Sequence, residues 1–171
     1  MRLFTIITLW VLLFAASCKD ANQSTQQRMP TQEELIEANK RKVGREAKLI
    51  NDFIDQSGWE MNSTKTGIRY DIYHEAEGPE ANEGDVVAVT YSLHMLDGTR
   101  VSDTELSGPV TFKVGQGDVI SGLHEAVTLL SVGDSARFII PSYLAYGLTG
   151  DQNKIPSNAA LLYDLSLVHL D

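Results

Sequence analysis

A single cysteine in 171 residues excludes an internal disulfide. It also excludes a thiolate zinc site, and the four histidines (His74, His94, His124 and His169) stand singly along the chain, so no metal is expected. Basic charge is scarce. Fourteen Lys and Arg against 23 Asp and Glu leave a formal net charge of −9. Such a balance argues against a nucleic-acid binder, because no basic surface recruits the polyanion. No apolar run reaches the about 20 residues that cross a bilayer comfortably. There are no internal repeats. What is present is 43% hydrophobic and 22% charged residues, the composition of a globular chain, at a length that suits one domain with appendages.

The N-terminus explains the cysteine. Met1-Arg2 precedes the apolar run LFTIITLWVLLFAAS, which reaches Cys18 and turns polar at once. This is the layout of a secretory signal peptide. Ala15-Ala16-Ser17 before Cys18 resembles the bacterial lipobox, in which the cysteine is lipidated and becomes the mature N-terminus. Residues 1–17 are then the leader and Cys18 the lipidation site. The other reading is an ordinary leader cut near Ala16, with Cys18 left as an odd thiol. The lipoprotein is preferred, because a lone exported thiol is otherwise hard to justify. Several acyl chains, at about 0.8 kcal/mol per buried methylene, anchor durably where one does not. The expected location is the cell envelope, on the periplasmic side of an outer membrane or on the cell surface.

Residues 18–30 read as the lipidated cysteine and a flexible tether, polar and without periodicity. Thr31 and Glu34 have the spacing of a capping box, which predicts a helix over 31–58. Ile36, Val43, Ala47, Ile50 and Ile54 recur at helical spacing, widened by Leu35, Leu49 and Phe53, and Gly58 ends the pattern. Gly44 sits inside it, where glycine costs about 1 kcal/mol relative to alanine and permits a break. The stripe packs on the following domain or merely spaces it from the membrane, or else pairs two copies as a homodimer through 31–57. Asn39 in the seam favours the first.

From residue 66 the period becomes twofold. Ile68, Tyr70 and Ile72 alternate with polar partners, and residues 86–96 place Val87, Val89, Tyr91 and Leu93 on one face. Asp97-Gly98 is a hairpin turn signal. Val110, Phe112 and Val114 mark another strand, 120–130 a short helix, and 136–140 and 160–170 the last two strands. His94 and His124 are expected at the surface, and the acids of 75–83 lack the spacing of a calcium loop. The loop 143–157 is too long for a mere connection. The layout is one α+β domain, an antiparallel sheet on one short helix after a long N-terminal helix.

Residues 84–170 resemble the FK506-binding-protein (FKBP) type of peptidyl-prolyl cis-trans isomerase. The residues carrying the resemblance are Gly84-Asp85-Val86, Val89-Thr90-Tyr91, Leu96-Asp97-Gly98, Val119-Ile120-Ser121-Gly122-Leu123 and Ser131-Val132-Gly133-Asp134. Pro141-Ser142-Tyr143-Leu144-Ala145-Tyr146-Gly147, Ile155-Pro156 and the 160–165 strand complete the order. Together with the leader, the chain is similar to lipoprotein forms of the family, including those associated with gliding motility. The resemblance implies an isomerase domain over 66–171 acting on proline-containing exported polypeptides, with no nucleophile, metal or cofactor.

It also implies the site. The pocket walls would be Tyr91, Val101, Phe112, Val119, Ile120, Leu123, Tyr146, Ile155 and Tyr163. The Ile120 N–H would donate to the bound peptide, Tyr146 would supply a rim hydroxyl, and Asp103 would fill an acidic role. Leu123 stands where the family commonly has tryptophan, and Val101 where it usually has an aromatic. Ser102 takes the place of the acid, one residue before Asp103, and Asp151 replaces a residue that is often histidine. These departures leave open an alternative, a weakly active or inactive chaperone or assembly module of the same fold.

Overall fold

A computed structural model describes residues 28–117 and 119–171; the expected leader and Cys18 lie outside them. The chain divides into compact units at Ile36/Glu37. In the first, Thr31 opens helix α1 (Gln32–Ser57): its Oγ1 accepts the Glu34 N–H at 3.2 Å, and the Glu34 carboxylate accepts the Thr31 N–H at 2.7 Å. Two orphan amides of the helix start are thereby satisfied, as the capping-box spacing predicts. The helix runs through Gly44 without a break.

Within residues 37–171 the expected stripe divides. Ile50 is 1% exposed and Val43, Ala47, Phe53 and Ile54 are half-buried, whereas Leu49 stands in solvent. Ile50 packs with Ile139 and Ala160, with Phe53, Ile54, Met61, Leu96 and Leu162 around them. The stripe over this stretch thus covers the domain's own sheet.

That sheet consists of β1 (Asn62–Ser63), β2 (Arg69–His74), β3 (Val86–Met95), β4 (Arg100–Asp103), β5 (Val110–Lys113), β6 (Ser135–Ile140) and β7 (Leu161–Leu170). Its order is β1-β2-β6-β7-β3-β4, with β5 also on β3, and every pairing is antiparallel. β3 pairs with β7 along its length and is long enough to take two more partners: its start pairs with β5 and its end with β4. The turn between β3 and β4 is the expected Asp97-Gly98, where Gly98 takes φ +87°.

Alternation gives the sheet two faces. Val87, Val89 and Leu93 of β3, Phe138 and Ile140 of β6, and Leu165 and Leu167 of β7 face inward onto α2 (Ser121–Val127), which contributes Leu123, Ala126 and Val127. Ile139 and Leu162 point the other way, towards α1. On that outer face the Arg137 guanidinium lies 4.9 Å from the Trp59 ring and 4.8 Å from the Tyr73 ring, with the carboxylates of Asp71 and Asp164 at 3.5 and 3.6 Å. Phe53 of α1 meets Trp59 edge-on at 5.6 Å. Tyr73 donates its hydroxyl to Asp164; burial, then that carboxylate, push the phenol up to about 12.

Candidate active site

Two tyrosines define the centre. In the β3–β7 register Tyr91 opposes Leu165 and Leu93 opposes Tyr163, so the tyrosines are diagonal neighbours on one face. Their rings meet edge to face, 5.3 Å apart at 63°. Val101, Phe112, Leu123, Ile155 and Tyr163 are buried in one cluster, against which the half-buried Tyr91, Val119 and Ile120 pack. The structure therefore brings eight of the nine expected wall residues together.

The ninth, Tyr146, is 37% exposed at the edge of this cluster. Burial pushes its phenol up, and Asp151 and Tyr91 add to the effect. Burial pushes the Tyr163 phenol far higher, with further contributions from Tyr146 and Tyr91. Both phenols are thus raised, which favours their protonated, donor form. Among the described residues nothing accepts from the Tyr146 hydroxyl; the residue's carbonyl is what Thr149 binds.

The backbone around Tyr146 is tightly tied. A 3-10 turn (Ser142–Leu144) follows β6, and the Ser142 carbonyl accepts the N–H of Ala145 at 3.0 Å and of Gly147 at 2.8 Å. Gly147 takes φ +58°, and its carbonyl accepts the Asn158 N–H at 2.8 Å. Further on, Asp151 Oδ1 accepts the N–H groups of Asn153 at 2.9 Å and Ile155 at 2.6 Å. Burial opposes its charge, but these backbone amides hold its carboxyl below the usual range. Asp151 therefore shapes the loop that delivers Ile155.

Ile120 caps α2 in an extended conformation, φ −62° and ψ 147°, and its carbonyl accepts the Leu123 N–H at 3.0 Å. Its own N–H has no acceptor among the described residues. This leaves it available for the role that the resemblance implies.

Asp103 lies elsewhere. The β3–β4 register shifts between Leu93 and His94, so Val101 enters as an extra residue and turns inward. Alternation then restarts with Ser102 opposite Leu93 and Asp103 opposite Ser92. Asp103 pairs with Arg100, accepts the Glu105 N–H at 3.0 Å, and lines an outer-face recess with Ser92, Asp164 and Ser166. Asp103 thus lies on the face of Ser92, in a recess that Tyr91 also lines, and is not part of the buried cluster.

His124 also departs from expectation. Instead of standing in solvent, its Nδ1 accepts the Gly115 N–H at 3.1 Å and its ring meets Phe112 edge-on at 5.5 Å. Its Nε2 is buried and has no partner among the described residues. The turn after β5 closes over this side of the short helix.

Two residues escaped the sequence reading. Thr104, 4% exposed, accepts the Tyr91 N–H on its Oγ1 at 2.9 Å, and its N–H donates to the Tyr91 carbonyl at 3.0 Å. It fixes the backbone beneath Tyr91. Lys154 donates its Nζ to the Val101 carbonyl at 2.8 Å, tying the 143–157 loop to β4. A threonine after a strand and a lysine in a loop carry no periodic signal.

Comparison with known proteins bears on this site. A family model described as FKBP-type peptidyl-prolyl cis-trans isomerase matches residues 78–168. The chain is 40% identical over 111 residues to a probable FKBP-type peptidyl-prolyl cis-trans isomerase FkpA of Neisseria meningitidis, covering 64% of this chain and 40% of that protein. It is 41% identical over 119 residues to the peptidyl-prolyl cis-trans isomerase FKBP11 of Bos taurus, covering 67% of this chain and 58% of that one. The match thus spans about two fifths of the Neisseria protein's length. Among solved structures, AtFKBP13 superposes with a TM-score of 0.62 at 25% identity, over 66% of this chain and all of that one. A Pseudomonas syringae isomerase gives 0.64 at 23% identity, over 75% of this chain and 96% of that one, a likeness of fold.

Proposed function

Because this chain belongs to the FKBP-type peptidyl-prolyl cis-trans isomerase family, we propose that it accelerates rotation about X-Pro bonds in exported polypeptides, without a covalent intermediate. The observation that carries this reading is the edge-to-face pair of Tyr91 and Tyr163 above a buried apolar floor of Phe112, Leu123 and Ile155, with the partly exposed Tyr146 directly after Leu144 and Ala145, which pack against the same cluster.

The chemistry needs little more. Rotation about the planar amide faces a barrier of about 18–20 kcal/mol, because resonance stiffens the C–N bond. In the twisted transition state that resonance is lost, and the carbonyl oxygen carries less charge and depends less on water. A concave apolar surface that grips the prolyl ring therefore favours the twisted form over the planar one. The Ile120 N–H and the Tyr146 hydroxyl orient the peptide on either side of that grip. Leu123 keeps the floor apolar but supplies no aromatic face. Tyr146 is bound into its loop and protonated, ready to donate.

The place of Asp103 outside the buried cluster, with aliphatic Val101 and Leu123 at aromatic positions, favours the second reading, a weakly active chaperone or assembly module. An isomerisation assay with a proline-containing peptide decides between them. The full chain is expected to accelerate exchange, and Tyr146→Phe to lower kcat/KM about five-fold, the equivalent of one hydrogen bond of about 1 kcal/mol. Absence of acceleration by the unaltered chain would leave the binding module.

The site's setting is proposed with it: an envelope protein lipidated at Cys18 after removal of residues 1–17, serving exported clients. The support is the small-residue run before that lone cysteine. In fractionated cells the unaltered chain should sediment with membranes and a Cys18→Ala chain should be released. Retention of the variant on membranes would refute lipid anchoring.

A further inference from the structure

Glu46 is a carboxylate in the middle of α1's apolar stripe, between Val43 and Ile50, and it is 9% exposed. A carboxylate withdrawn from water is costly unless hydrogen bonds compensate for its lost hydration. Both of its oxygens are committed to one residue. Oε1 accepts the Ser142 N–H at 2.6 Å and Oε2 accepts the Ser142 Oγ–H at 2.9 Å. Ser142 is itself buried.

Ser142 is the residue whose carbonyl accepts the N–H groups of Ala145 and Gly147, one on each side of Tyr146. A direct chain of hydrogen bonds therefore runs from Glu46 through Ser142 to both flanks of the rim tyrosine. Other ties converge on the same turn. Ser121, the first residue of α2, donates its hydroxyl to the Leu144 carbonyl at 3.1 Å, and Tyr143 donates its own to the Thr66 carbonyl at 2.8 Å. Of these anchors Glu46 is the charged one, and it comes from a helix outside the 78–168 segment that the family model matches.

We propose that Glu46 is a positioning residue for Tyr146, acting through Ser142, so that α1 sets the geometry of the active-site rim. The inference rests on the reading of Tyr146 as the rim donor. A fully paired carboxylate holds the turn by two charge-assisted bonds, which are shorter and stronger than neutral ones. Glutamine at the same place still accepts from the Ser142 N–H and can donate to its hydroxyl oxygen. Alanine leaves both Ser142 donors buried without an acceptor.

The test uses the full chain, measuring kcat and KM for a proline-containing peptide together with hydrogen exchange at the Ala145 and Gly147 amides. Glu46→Ala is expected to lower kcat about ten-fold with KM little changed, as a displaced catalytic contact does. It should also speed exchange at those two amides while the Val89 amide in the core stays protected. Glu46→Gln is expected to restore most of both. Ser142→Ala, which removes only the hydroxyl donor, keeps the question answerable if Glu46→Ala fails to fold, and should show an intermediate loss. Unchanged kcat and unchanged exchange in folded variants would overturn the inference, as would an equal loss in Glu46→Gln. If the unaltered chain has no isomerase activity, the reading of function fails, and exchange at the two amides still decides whether Glu46 holds the turn.

Discussion

Phe138→Ala is expected to lower the unfolding free energy by about 3–5 kcal/mol, read as a fall in the urea midpoint at unchanged m-value. Phe138 is 0% exposed on β6, where it opposes Tyr70 of β2 on one side and Tyr163 of β7 on the other. Its ring stacks on Tyr70 at 6.4 Å and 26°. Truncation removes a large apolar side chain from a site walled by three paired strands. Those strands are held by their ladders, so the surroundings cannot collapse to fill the space, and the cavity penalty adds to the lost transfer energy. Against a typical total of about 5–15 kcal/mol, the loss is a large fraction of the fold's margin. Because Phe138 directly opposes Tyr163, the cavity also opens behind the candidate site. A loss under about 1 kcal/mol would show that this ring is not the centre of the core.

Gly122→Ala is expected to cost about 1–3 kcal/mol and to lower kcat/KM on the order of 100-fold. In an ordinary helix the same change stabilises by about 1 kcal/mol, so the sign of the effect is itself diagnostic. A Cβ at this position would overlap Ile140 Cγ2 and come within 3.1 Å of the Leu144 carbonyl and 3.2 Å of the Leu144 Cβ. Glycine is needed here for closeness rather than for an unusual φ. It lets α2 settle against β6 and against the turn that leads to Tyr146. Pushing the helix away moves Ile120 and Leu123 relative to Tyr146, and the two sides of the pocket separate. Denaturation and isomerisation measured together provide the check. A more stable variant of full activity would contradict this account of the packing.

The two-residue period of β3 was enough to place Val87, Val89, Tyr91 and Leu93 on one face, and the capping box at Thr31 and Glu34 located the start of α1. Such features are local, and local geometry is written in spacing. The aromatic members of the cluster were legible for a similar reason, since they sit in motifs of recognisable order. Asp103 was not, because a single extra residue at Val101 reverses which face the next side chains take, and no sequence period announces such a bulge. His124 was misplaced for another reason. Seven residues of helix make too short a period to say which side a neighbouring turn will cover. The pairing of Glu46 with Ser142 joins residues 96 positions apart, and only the docking of α1 on the sheet reveals it.

The stack of Trp59 on Arg137 has a practical meaning. The chain holds two tryptophans, and the other, Trp10, falls in the expected leader. In a chain that begins at Cys18, the tryptophan emission would come from one indole, wedged between a guanidinium and the Phe53 ring of α1. That indole lies across the sheet from the tyrosine cluster. The molecule thus carries its own optical gauge of whether the long helix is seated, one that reads separately from occupancy of the candidate site.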